Sequence, residues 1–143
     1  MRRNTCNNVE SSQMKTPPKH VLIVDDEPGV RQACRLMLSL DEHTVVEAKN
    51  GIEALDLFTK GRFDLVMTDF KMPGMNGNEL AARIKRLAPS VPILMISAFV
   101  KEVGGSHGPV DATLSKPFSL LELRQAIAQL VPSTSLREAG SQG

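Results

Sequence analysis

The sequence predicts a doubly wound α/β sandwich around a five-stranded parallel sheet. Three features carry that reading. Short apolar runs alternate with segments whose apolar residues recur at helical spacing, the connections are short, and four of the runs end directly in carboxylate, hydroxyl or amine side chains. Strands alternating with helices across short loops form right-handed β-α-β units. Such folds bind ligands at the carboxyl ends of their strands, close to where strand order reverses.

The elements follow in order. His20-Val21-Leu22-Ile23-Val24 is a continuous apolar run, as expected of a strand covered on both faces. Pro28 suits the first turn of a helix, where its missing N–H costs nothing, and Val30, Ala33, Cys34, Met37 and Leu38 supply an apolar stripe. Thr44-Val45-Val46 is a short second strand. Asn50 is placed to cap the next helix, whose buried side carries Ala54, Leu55 and Phe58. Asp64-Leu65-Val66-Met67-Thr68 is the third strand, followed by a turn-rich segment from Met72 to Gly77. Leu80, Ile84, Leu87 and Ala88 mark a third helix, and Pro92 opens a fourth strand, Ile93-Leu94-Met95-Ile96. Residues 101–109 contain three Gly and one Pro, so the helix due there is expected to be short or irregular. Val110 to Leu114 is a weak fifth strand. Ser119-Leu120-Leu121-Glu122 reads as a capping box for a last helix with Leu123, Ala126, Ile127 and Leu130 as its buried stripe.

Composition narrows the function classes. With 143 residues the chain suits one domain, expected at 19–131 between a polar leader at 1–18 and a Ser- and Gly-containing tail at 132–143. A net charge of +1 gives no basic field for nucleic acid, and five Phe without Trp or Tyr offer little for base stacking. Cys6 and Cys34 read as free thiols of a reducing compartment. No apolar run is long enough to cross a bilayer, and Met1-Arg2-Arg3 is not followed by a signal-peptide core, so the expected location is cytoplasmic.

The strand ends carry the chemistry. The first ends in Asp25-Asp26-Glu27, the third in Asp69, the fourth in Ser97-Ala98 and the fifth in Ser115-Lys116-Pro117. In a parallel sheet these groups meet on one edge. Carboxylates brought together there repel, and burial raises their pKa values. A divalent cation resolves the conflict, and all-oxygen ligands favour Mg²⁺ or Mn²⁺ over Zn²⁺. An ammonium (Lys116) and a hydroxyl (Ser97) beside a carboxylate suit stabilisation of a transferring phosphoryl group, with the carboxylate itself as nucleophile. Plainer readings exist for each residue. Asp25, Asp26 and Glu27 also suit a helix N-terminus. His20, His43 and His107 lack metal-ligand spacing and read as structural or solvent-facing, Met72 and Met75 as loop packing, and Arg83, Lys85 and Arg86 as a solvated helix face.

Together, Asp25-Asp26, the run from Asp69 through Lys71, Met72-Pro73 and Asn76-Gly77, then Ser97-Ala98 and Lys116-Pro117-Phe118, resemble the receiver domains of two-component response regulators, the CheY-like superfamily. The resemblance spans His20 to Val131 and implies a (βα)5 flavodoxin-like fold. It implies Asp69 as phosphoacceptor and a bound Mg²⁺. That ion would be held by Asp26 and Asp69, by Asp25 through water, and by the backbone carbonyl of Lys71. Ser97 would meet the phosphoryl oxygens, Lys116 would pair with Asp69, and a cis Lys116–Pro117 bond is implied. The side chains of Lys71 and Phe99 stand where the family tunes the lifetime of the phosphorylated state.

Two departures bear on output. Thr113 stands where the family places an aromatic switch residue working with Ser97. The Ser97–Lys116 interval is also short, the missing length falling in 101–109. The implied partners are a sensor histidine kinase or phosphotransfer protein as donor and a downstream protein as receiver of the signal, with homodimer formation open. Neither membrane nor direct nucleic-acid contact is expected, the tail being too short for a DNA-binding domain. The expected role is a phosphoacceptor rather than an enzyme with turnover. A receiver-like interaction module that is never phosphorylated is the alternative. An aspartyl-phosphate phosphatase is less favoured, because Lys71 stands where such enzymes need a second acid.

Overall fold

The computed structural model describes residues 17–98 and 109–131. In chain order these form β1 (His20–Val24), α1 (Pro28–Ser39), β2 (Thr44–Ala48), α2 (Gly51–Lys60), β3 (Leu65–Asp69), α3 (Gly77–Leu87), β4 (Ile93–Ser97), β5 (Ala112–Ser115) and α4 (Leu120–Leu130). The five strands make one sheet in the order β2-β1-β3-β4-β5, and every pairing is parallel. Strand order reverses between β1 and β3, which makes this the doubly wound, flavodoxin-like architecture. The expected leader and tail, apart from residues 17 and 18, and the Gly-containing stretch 99–108 with Phe99 and His107 lie outside the described residues.

Alternation along the strands divides the core in two. Leu22, Val24, Val66 and Ile93 face α2 and α3, packing with Ala54, Phe58, Leu80 and Ile84. Val21, Ile23, Leu65, Met67, Leu94 and Ile96 face α1 and α4, packing with Cys34, Leu38, Leu123 and Ile127. Both faces of the central strands are therefore covered, which is why β1, β3 and β4 read as unbroken apolar runs. Cys34 is a free thiol in this core, and burial, reinforced by the Asp25 charge, pushes its pKa up to about 11. It packs as a small apolar group. Among the described residues no helix is long and apolar enough to cross a membrane.

Several sequence expectations need correction. Ala33 and Leu87 face solvent, Leu87 at 56% exposure, whereas Ala81 is buried. Helical spacing alone could not say which edge of an apolar stripe meets the sheet. β2 extends to Ala48, β4 takes in Ser97, and β5 runs from Ala112 to Ser115, because neighbouring strands supply ladder partners to polar residues as readily as to apolar ones. Asp64 precedes β3 and caps the start of the neighbouring β1 instead, its carboxylate accepting from the His20 N–H at 2.9 Å. Asn76, read as part of a turn, is the N-cap of α3 in a reciprocal capping box with Glu79. The anticipated caps at Asn50 and Ser119 are present.

The edge of the sheet where the strands begin is tied by polar groups. Lys85 is no solvated face residue. Its ammonium donates to the Val91 carbonyl at 2.9 Å and meets Asp111 at 2.8 Å, while Asp111 also accepts from Ile93 N–H. Asp41, in the turn after α1, is gripped by Arg124 of α4 through two parallel bonds of 2.8 and 2.7 Å. His20 stacks on Phe63 with centroids 4.7 Å apart and meets Thr44 Oγ1. His43, 5% exposed, accepts the Lys19 N–H on Nδ1 at 2.9 Å. Both histidines are structural, as expected.

Two predictions follow from these ties. Arg124→Ala strands the buried Asp41 carboxylate and should lower unfolding free energy by about 2 kcal/mol, measured by urea denaturation at pH 7. The His43 pKa is held down, chiefly by burial and also by Lys19, against the opposing pull of Asp41. A base with a depressed folded pKa contributes stability that is present above its unfolded pKa and lost as pH falls below about 6.5. Denaturation midpoints between pH 7.5 and 5 should therefore drop more steeply in wild type than in His43→Gln.

Candidate functional site

Parallel register brings the strand ends level. Val24 pairs with Ala48 and Thr68, Asp69 with Ile96, and Ser97 with Ser115, so the residues just after these positions share one edge. Asp25 leaves β1 with its N–H donated to the Ala48 carbonyl at 3.1 Å, and its Oδ1 accepts the Glu27 N–H at 2.9 Å. Glu27 occupies the N-cap of α1 but makes no side-chain capping bond. Capping therefore does not account for Glu27, and Asp25 forms a local turn while its other oxygen faces the site. Asp26 follows it and is exposed.

Asp69 is the last residue of β3 and is buried. Carboxylate oxygens of Asp25, Asp26 and Asp69 lie within 4.8 Å of one another. Lys116, just beyond β5, places its ammonium 3.1 Å from Asp69 Oδ1 and 3.4 Å from Asp25 Oδ2. Its own N–H donates to the Ser97 carbonyl, and the following Lys116–Pro117 bond is cis. Ser97 ends β4 at 4% exposure. Glycine is required at the start of α3, since a Cβ on Gly77 would collide with the Asp69 carbonyl oxygen and with Met95 Sδ. Its N–H also donates to the Phe70 carbonyl at 2.8 Å.

Burial dominates the electrostatics. It raises the Asp69 pKa, with Lys116 opposing the rise and Asp26 adding to it. It raises that of Asp25 too, with Asp69 adding repulsion and the Glu27 N–H and Lys116 opposing. Burial works to lower the Lys116 pKa, yet the charges and hydrogen bonds of Asp25 and Asp69 prevail and hold it above the usual lysine value. One ammonium against three carboxylates leaves excess negative charge, and an all-oxygen donor set this close suits a hard divalent cation of the Mg²⁺ type.

Of the residues singled out from the sequence, Asp25, Asp26, Asp69 and Lys116 converge. Ser97 lies at the same edge through its backbone bond to Lys116. Lys71 is exposed beside the site, where Phe70, Lys71, Met72, Pro73 and Asn76 line an open cleft of about 350 Å³. Met72 is buried in the core, and Met75 packs on Gly51. Thr113 is exposed on β5, paired with Met95 two residues before the Ser97–Ser115 pair. Sequence reasoning missed Arg31 and Glu47, which pair at 3.1 Å beside the Asp25 turn. A longer β2 would have been the signal, since it puts Glu47 on the strand next to β1.

Comparison with known proteins agrees with this geometry. The profile of the response regulator receiver domain matches residues 21–128. Sporulation initiation phosphotransferase F of Bacillus subtilis is 33% identical over 124 residues, covering 80% of this chain and 95% of that protein. Response regulator MprA of Mycobacterium sp. (strain KMS) is 36% identical over 121 residues, covering 82% of this chain and 53% of the relative, so the chain spans about half the length of the first curated relatives it matches. The response regulator TrrA of Thermotoga maritima, solved in complex with Mg²⁺ and BeF, superposes with a TM-score of 0.73 at 33% identity over 78% of this chain and 98% of that one. The profile match covers most of the chain and agrees with the sheet order and the acidic strand ends: the protein belongs to the response regulator receiver domain family.

Proposed function

We propose that this receiver domain accepts a phosphoryl group on Asp69 from a phosphohistidine donor, a sensor histidine kinase or a phosphotransfer protein, and signals through a changed protein contact. The observation that carries this reading is the Lys116 ammonium set between Asp69 and Asp25 in a cluster of three carboxylates. An Asp69 carboxylate oxygen attacks the phosphorus, the donor's P–N bond breaks, and an acyl phosphate forms on the side chain. Asp25, Asp26, Asp69 and the Lys71 carbonyl would hold Mg²⁺, or Mn²⁺ in its place, which when bound supplies charge neutralisation on the phosphoryl oxygens. Lys116 keeps the nucleophile oriented and then shares the new charge. Ser97 donates its hydroxyl to a phosphoryl oxygen, and the cytoplasm, where such donors are found, is the proposed location.

The step is stoichiometric, so the protein acts as an acceptor rather than a turnover enzyme. An interaction module that is never phosphorylated is the second reading. Thr113 favours it, because a small polar side chain exposed on β5 has little surface with which to report a change at Ser97.

Incubation with acetyl phosphate followed by intact-mass measurement separates the two. One Mg²⁺-dependent adduct of a single phosphate is expected on wild type and none on Asp69→Ala; an unlabelled wild type would leave the interaction module. A second prediction follows from the raised Asp25 pKa. A carboxyl whose folded pKa exceeds its unfolded value costs stability once pH rises past the unfolded pKa of about 3.8. In EDTA at pH 7, Asp25→Asn should be more stable than wild type, read as a higher urea-denaturation midpoint. Added Mg²⁺ should raise the melting temperature of wild type more than that of the variant, removing the difference.

A further inference from the structure

Asp25 and Asp26 are consecutive, and one peptide plane joins them. The direction of that plane sets where the exposed Asp26 carboxylate leaves the chain, since the peptide unit is rigid. Its carbonyl, that of Asp25, accepts a 2.6 Å hydrogen bond from Nη1 of Arg31, one turn into α1. The same guanidinium donates from Nε to Glu47 Oε1 at 3.1 Å, and Arg35 holds the other oxygen of Glu47 at 2.8 Å. Arg31 is largely shielded, its side chain 16% exposed, whereas that of Arg35 is 51% exposed. The guanidinium contacts a carbonyl and a carboxylate on β2, and its hydrogen bonds bypass the carboxylates of the acidic cluster. It is built as a strut, with Glu47 as its anchor on the sheet.

We propose that Arg31, braced by Glu47, is a positioning residue for the divalent-cation site: it fixes the Asp25–Asp26 peptide so that both carboxylates converge with Asp69. The inference rests on the phosphoacceptor reading above. It differs in sign from a pure charge effect. Removing a cation near three carboxylates would by electrostatics alone strengthen Mg²⁺ binding, whereas removing a strut weakens it. Groups that orient metal ligands from behind are commonly worth an order of magnitude or more in affinity.

The test is calorimetric Mg²⁺ titration of the full chain as wild type, Arg31→Gln, Glu47→Gln and Arg35→Gln, with far-UV circular dichroism to verify folding and acetyl phosphate labelling in parallel. Arg31→Gln should weaken Mg²⁺ binding about tenfold. Glu47→Gln should weaken it less, and Arg35→Gln should match wild type. Labelling of Arg31→Gln should be slow at limiting Mg²⁺ and return to the wild-type rate at saturation. Should Arg31→Gln fail to fold, Arg31→Lys carries the comparison: it keeps the charge but lacks the fork that joins the Asp25 carbonyl to Glu47, so charge alone predicts unchanged binding and a lost strut predicts weaker binding. Unchanged or tighter Mg²⁺ binding in a folded Arg31 variant overturns the proposal, as does slow labelling that saturating Mg²⁺ does not restore. A wild type that neither binds Mg²⁺ nor labels would instead sink the phosphoacceptor reading, so the two failures are distinct.

Discussion

Excess negative charge at one edge of a parallel sheet is the constraint on which the rest of this structure depends. Asp25, Asp26 and Asp69 bring carboxylate oxygens within 4.8 Å, and Lys116 supplies one ammonium among them. Burial raises the pKa of Asp25 and Asp69, so the folded chain stores a cost that a metal-free site does not relieve. Such a cost is tolerable only where the surrounding structure is over-determined. Here the two buried apolar layers supply that surplus, with β3 and β4 covered along their whole length.

The loops that carry the charged groups are held from behind by backbone and side-chain bonds. Asp25 is tied to Ala48 through its N–H and to Arg31 through its carbonyl. Asp69 is set by Gly77, whose missing Cβ lets α3 press against the Asp69 carbonyl, and Lys116 is tied by its N–H to Ser97. Every acidic or basic group of the cluster except Asp26 thus has its own backbone fixed within the ladder or against it. Asp26 depends on the peptide it shares with Asp25, which gives the Arg31–Glu47 pair its consequence.

At the opposite edge, where the strands begin, charges are matched rather than crowded. Arg124 meets Asp41, Lys85 meets Asp111, and the neutral ring of His43 accepts the Lys19 N–H. The fold therefore has a satisfied end and a frustrated end. A change in charge at Asp69 acts on groups at the frustrated end, leaving the paired end as a fixed base. That division suits a domain whose state is altered by a local electrostatic event.

The sequence by itself determined the alternation of strands and helices, the apolar inner strands, the caps at Asn50 and Ser119, and the four polar strand ends that point to phosphoryl chemistry. Each of these is written in contiguous residues, as a period, a cap pattern or a residue following an apolar run. Tertiary structure alone decided which side of each helix stripe is buried, as Ala33, Ala81 and Leu87 illustrate, and how far β2, β4 and β5 extend, since a ladder partner from another strand fixes both. It also decided that Lys85 and Arg124 bind rather than face water, and that Arg31 reaches the Asp25 carbonyl while Glu47 holds it. These pairs join residues distant in the chain or on separate elements, and only register and packing bring a guanidinium to a particular carbonyl.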